Sequence, residues 1–106
     1  MLAFARGESV LADSIVQNEV ETTRRLIQYI ESYNAEDKTA FVAIISASIN
    51  RGLAQAEIAA EFGVSPGTVS RWVAGKSIPA QYSRDTIVHR IGKLLENLAE
   101  EQLQFA

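Results

Sequence analysis

The stretch "QAEIAAEFGVSPGTVSRWVAG", Gln55 to Gly75, constrains what this chain can fold into more than any other. Ile58 and Phe62 stand four residues apart, and Val69 and Trp72 three apart, so each side of Gly63-Val64-Ser65 carries an apolar stripe at helical spacing. Gly63 can take the positive φ needed just past a helix end, Ser65 can cap the helix that follows, and Pro66 holds the favoured first helical position. Ala59 is small where two backbones must approach. The expected product is two short helices meeting at a tight angle, a helix-turn-helix packed through Ile58, Ala59, Phe62, Gly63, Val64, Val69 and Trp72.

The rest of the chain also reads as helix, and β-hairpin signals are weak because the glycines fall at the ends of helical patterns. The segment "SVLADSIVQNEVETTRRLIQYIESYN" sets Leu11, Ile15, Val16, Val20, Leu26, Ile27 and Ile30 mostly at three- and four-residue steps. It predicts an amphipathic helix from near Ser9 to near Asn34, with Glu21 and Arg25 as an i,i+4 surface pair. "AEDKTAFVAIISASINRGL" opens with acids and closes at Gly52, with Phe41, Ile44, Ile45 and Ile49 on one face. The last segment, "SRDTIVHRIGKLLENLAEEQLQF", repeats Ile87, Ile91, Leu94 and Leu98, a stripe that serves equally as core or as a seam for a second copy. At 106 residues this is one all-α domain with appendages. The expected division is an N-terminal helical extension over 1–36, a helix-turn-helix domain over 37–98 and an acidic tail over 99–106.

Net charge is −3, which argues against a nucleic-acid partner until its distribution is considered. Residues 1–50 sum to −3, residues 51–93 to +3 and residues 94–106 to −3, so the basic excess coincides with the corner. The absence of cysteine excludes disulfides, thiolate metal sites and cysteine nucleophiles. Arg6, Glu8 and Asp13 interrupt the apolar run a signal peptide needs, and Ala40 to Ile45 is too short to span a membrane, so a cytoplasmic protein is expected. His89 follows Asp85 by four residues, but successive turns of one helix do not build a nucleophile, a base and an oxyanion hole. With no phosphate-loop motif and no spaced carboxylate or histidine set, no enzyme, metal or cofactor is expected.

Gln55, Ile58, Ala59, Phe62, Gly63, Val64, Ser65, Thr68, Val69, Ser70, Trp72 and Gly75 fall into one register that resembles the lambda-repressor/Cro-like (XRE) helix-turn-helix family. The resemblance covers roughly residues 40–98 by element order, with its specific motif from Gln55 to Lys76. It implies a five-helix domain that binds double-stranded DNA, with the helix from Pro66 to Ala74 in the major groove. It implies further that Gln55 and Thr68 meet phosphates, and that Pro66, Gly67, Ser70 and Arg71 occupy base-reading positions. This sequence departs from the family pattern at Ala54, where a Ser or Thr cap is usual, and at Pro66-Gly67, which offers bases no side-chain hydrogen bond.

Residue chemistry narrows these expectations. Arginine can donate two parallel hydrogen bonds to guanine O6 and N7, and Arg71 is the sole charged side chain on its helix, so it is the expected reader. Pro66 and Gly67 suit either close backbone approach or contact with a thymine methyl. Lys76, Ser77 and Arg84 flank the helix as expected phosphate contacts. Trp72 follows Val69 on the inner face and is expected in the core rather than stacked on a base. So few readers per chain imply a homodimeric regulator on a palindromic site, joined through the first helix, the last, or both. The alternative is a protein-interaction adaptor or antitoxin-like partner that uses the N-terminal helix.

Overall fold

Five helices follow one another: α1 Leu2–Glu31, α2 Lys38–Arg51, α3 Gln55–Phe62, α4 Pro66–Val73 and α5 Gln81–Gln104, with no strand among the described residues. The structure is a computed structural model that describes the backbone of residues 2–104 and the side chains of residues 14–104. Leu11, assigned above to the apolar face of the first helix, has its side chain outside the described residues. α1 begins at Leu2 rather than near Ser9. Gly7 weakens a helix by about 1 kcal/mol relative to alanine but does not stop one, and no proline intervenes.

Local chemistry sets the boundaries of α2 and α3. The Asp37 carboxylate caps α2 by accepting the Ala40 N–H at 2.9 Å, and Gly52 ends it at φ 125°. Ala54 has no side chain to cap α3, but Glu57 Oε1 accepts the Ala54 N–H at 3.3 Å and supplies the returning half of a capping box.

The core gathers Phe41, Ile44 and Ile45 from α2, Ile58 and Ala59 from α3, Val69 and Trp72 from α4, and Ile87, Val88, Ile91 and Leu95 from α5. α1 closes it by lying antiparallel along α5, with Val20 and Ile30 buried. Gly92 faces α1 closely: a Cβ there would lie 3.4 Å from Ile30 Cγ2, at the edge of ordinary van der Waals contact. Leu94 and Leu98 are half-buried against the core. α5 continues to Gln104, so residues 99–104 form its last turns, with Ala99 buried and Gln102 accepting from Thr23 Oγ1 at 3.1 Å. Thr23 thus stands level with Gln102: α5 ends two residues beyond Gln102, and α1 runs on past it, giving a molecule 58 Å long and 26 × 20 Å across.

One charged side chain is built into this core. Arg84 is 5% exposed; its Nε and Nη2 donate to the Ala35 carbonyl at 2.9 and 2.6 Å, and its Nη1 to the Pro79 carbonyl at 2.8 Å. The guanidinium thus ties the α1–α2 turn and the loop before α5 to the first turn of α5. Beside it, burial pushes the Tyr33 phenol above its ordinary pKa, an effect the Arg84 charge partly offsets. Removing a buried charged donor strands its acceptors, so Arg84→Ala is expected to cost about 2–4 kcal/mol in urea denaturation. Arg84→Lys should recover only part of that, because an ammonium does not reproduce the fork; full stability in Arg84→Ala would contradict the clasp.

Candidate nucleic-acid interface

The corner between α3 and α4 is made by backbone. Gly63 sits in the left-handed region at φ 63°, ψ 33°, and the Val64 N–H returns to the Ala59 carbonyl at 3.0 Å, closing the end of α3. Ser65 then caps α4: its Oγ accepts the Thr68 N–H at 3.1 Å, and Pro66 takes the first helical position. Gly63, Ser65 and Pro66 are the residues whose order predicted this turn.

Successive residues of α4 rotate by about 100°, which separates its two faces. Val69 and Trp72 point inward and are buried; Pro66, Gly67, Ser70 and Arg71 lie on the opposite side and are exposed. Trp72 meets the Phe41 ring edge-on, with centroids 5.8 Å apart at 72°, and the Phe62 ring at 6.5 Å and 58°. Those contacts join α4 to α2 and α3 at once, so the outward face has one orientation relative to the domain.

The polar side chains on this face engage each other. Ser70 Oγ donates to Gln55 Oε1 at 2.8 Å, linking the middle of α4 to the first residue of α3. Arg71 Nη2 donates to Thr68 Oγ1 at 3.0 Å, and Thr68 Oγ1 lies 3.0 Å from Ser65 Oγ. Gln55 and Thr68 are half-buried, whereas Lys76 and Ser77 stand exposed in the loop after α4.

Arg84, expected to touch a phosphate, does not belong to this surface. Its guanidinium is buried on the Ala35 and Pro79 carbonyls, where every short contact is internal. Other basic groups of the 51–93 stretch are also occupied: Arg51 pairs with Glu19 at 3.0 Å, Arg90 with Glu61, and Lys93 approaches Glu96 at 3.9 Å. Among the described residues, this leaves Arg71 and Lys76 as the basic side chains of that stretch held by neither a carboxylate nor a buried carbonyl. The exposed basic groups of that stretch without a carboxylate are therefore at α4 and just past its C-terminal end rather than spread over a patch. No cluster of three or more potential metal ligands occurs among the described residues, nor is any of their helices long and apolar enough to cross a membrane.

A tight pair of helices with one face locked and the other exposed is a helix-turn-helix. Comparison with family models agrees: residues 49–82 match HTH_3, described as Helix-turn-helix, a span from the end of α2 to the start of α5. No curated protein and no solved structure matches the chain. Over residues 49–82 the chain thus carries an XRE/lambda-repressor-like helix-turn-helix domain. Such a domain implies DNA binding, and proteins that carry it are typically non-enzymatic regulators.

The two corner glycines should respond differently to substitution. Gly63→Ala meets no atom within 4 Å but must hold a positive φ, so a loss of about 1 kcal/mol is expected in the urea midpoint. At Gly67 the new Cβ would lie at an ordinary 3.7 Å from Ser65 Oγ, and a helical φ gives alanine an advantage of up to about 1 kcal/mol. Equal destabilisation by both would contradict the conformations described.

Proposed function

We propose that the chain binds duplex DNA sequence-specifically as a homodimeric transcriptional regulator, with α4 lying in the major groove. The observation that carries this reading is the outward face of α4: Arg71 is free of carboxylates there, Lys76 follows at the helix end, and the inner face is locked by Trp72. Arg71 reads a guanine edge, while Gln55, Lys76 and Ser77 hold phosphates that set the register. Pro66 and Gly67 allow the helix N-terminus to approach the bases closely.

Support for a second protomer comes from the long pair of α1 and α5. α1 extends past the end of α5, and on that extension Ile15 is 62% exposed. In this reading residues 1–36 and the end of α5 join two copies, residues 37–98 bind DNA, and repression follows from occupying a palindromic site. The same exposed length of α1 also supports the second reading, an adaptor or antitoxin-like protein whose first helix takes a different protein.

Salt dependence tests the DNA reading. Lys76 is the one cation of the 51–93 stretch placed on a phosphate and Arg71 the one placed in the groove, so in a dimer log K against log salt should fall with a slope between about −2 and −4, and a broad basic patch would give a steeper one. Arg71→Ala should weaken the selected duplex about tenfold or more and relax one base pair per half-site. Absence of preference for any duplex at low salt would contradict it.

Stoichiometry tests the pairing. Sedimentation of the complex should give two protomers per duplex, and Ile15→Glu, a surface change, should reduce that to one without loss of helicity. Two protomers retained in Ile15→Glu would remove α1 from the interface. A different protein bound to wild type and lost from Ile15→Glu would favour the adaptor.

A further inference from the structure

We propose that Ser70 and Thr68 act as positioning residues, and that side-chain hydrogen-bond donation to bases in each half-site therefore reduces to one guanine met by Arg71. The inference rests on the DNA-binding reading above. It follows from the hydrogen bonds that Ser70, Thr68 and Arg71 already make on the α4 face.

Ser70 has one hydroxyl proton, and it is directed to Gln55 Oε1 at 2.8 Å. A base seeking a donor at Ser70 finds none. The effect on Gln55 is to hold the carbonyl end of its amide against α4, which turns the NH2 end away as a pair of donors. That polarity suits a phosphate, whereas the flipped amide would present an oxygen to an anion. Ser70 thus acts on DNA through Gln55.

Thr68 performs the corresponding task for Arg71. Its Oγ1 accepts from Arg71 Nη2 at 3.0 Å and is anchored in turn within 3.0 Å of Ser65 Oγ at the helix cap. The guanidinium is drawn back along α4 toward the helix N-terminus, where Nη1 lies 3.8 Å from the place a Cβ would occupy on Gly67. A glycine at that position leaves Nη1 uncovered. Arg71 is thereby held in one rotamer with most of its donors free, which reduces the ordering cost of docking on a guanine edge. Pro66 and Gly67 have no side-chain donors, so Arg71 is the one residue of the outward face that can give a base a hydrogen bond from its side chain. Preference at other positions then comes from duplex shape and deformability.

The test uses the full chain and a duplex selected from a random pool. Binding constants are measured for each single base-pair substitution, and for replacement of guanine by 7-deazaguanine, with wild type, Ser70→Ala, Ser70→Thr, Thr68→Val, Thr68→Ser and Arg71→Ala. Wild type should lose about tenfold to a hundredfold at one G·C pair per half-site, and 7-deazaguanine should reproduce much of that loss. Ser70→Ala should weaken every sequence by one common factor of several-fold, leave the preference profile intact, and be rescued by Ser70→Thr. Thr68→Val should reduce discrimination at the Arg71 guanine alone and be rescued by Thr68→Ser. A profile that changes at one base pair in Ser70→Ala would make Ser70 a direct reader, and a uniform loss in Thr68→Val would make Thr68 a phosphate contact; either overturns the inference while the DNA reading stands. If wild type prefers no duplex, the DNA reading itself fails.

Discussion

The contact on which the rest depends is the meeting of Trp72 with Phe41 and Phe62. α4 is only eight residues long, too short to be stable as an isolated helix, so its existence and its direction come from packing. Ring centroids within 5.8 and 6.5 Å of two different helices supply both. Val69, fully buried one turn earlier, prevents rotation about that anchor. The outward face is a consequence: once Val69 and Trp72 are inside, helical geometry places Pro66, Gly67, Ser70 and Arg71 outside.

A second constraint is electrostatic. An acidic chain can present a cation to an anionic polymer only if its acids stay clear of that face, and here several of them are held by the basic groups that are not needed there. Glu19 holds Arg51, Glu61 holds Arg90, and Glu96 lies near Lys93. The fold sets three of the six basic groups of the 51–93 stretch against acids, buries Arg84 on carbonyls, and leaves Arg71 and Lys76 exposed. In the proposed reading, a surface of this kind places specificity in the shape and aim of α4 more than in bulk attraction.

The corner was legible in the sequence because its causes are local. Gly63, Ser65 and Pro66 act through their own backbone and capping chemistry, and the inner face of α4 follows from a three-residue step. What escaped depends on residues distant along the chain. Arg84 bonds to the Ala35 carbonyl 49 residues away, so a flanking arginine looked like a phosphate contact. A signal was present, since Arg84 stands three residues before Ile87 and shares its face. On α5 the stripe of Leu94 and Leu98 and the adjacent one of Val88 and Leu95 have similar periods, and the side on which α1 packs decides which is deeper. Ser70 and Gln55, 15 residues apart, are likewise joined only by the angle of the corner. Counting charges by segment missed the Arg51–Glu19 and Arg90–Glu61 pairs for the same reason.

Methylation protection measures the groove directly. With the full chain bound to its selected duplex, dimethyl sulfate should be excluded from guanine N7, in the major groove, at two symmetric positions about one helical turn apart. Loss of both protections in Arg71→Ala, with the protein still folded, would tie them to α4. Unprotected guanine N7 throughout the site, or protection confined to adenine N3 in the minor groove, would contradict the placement of this helix on DNA.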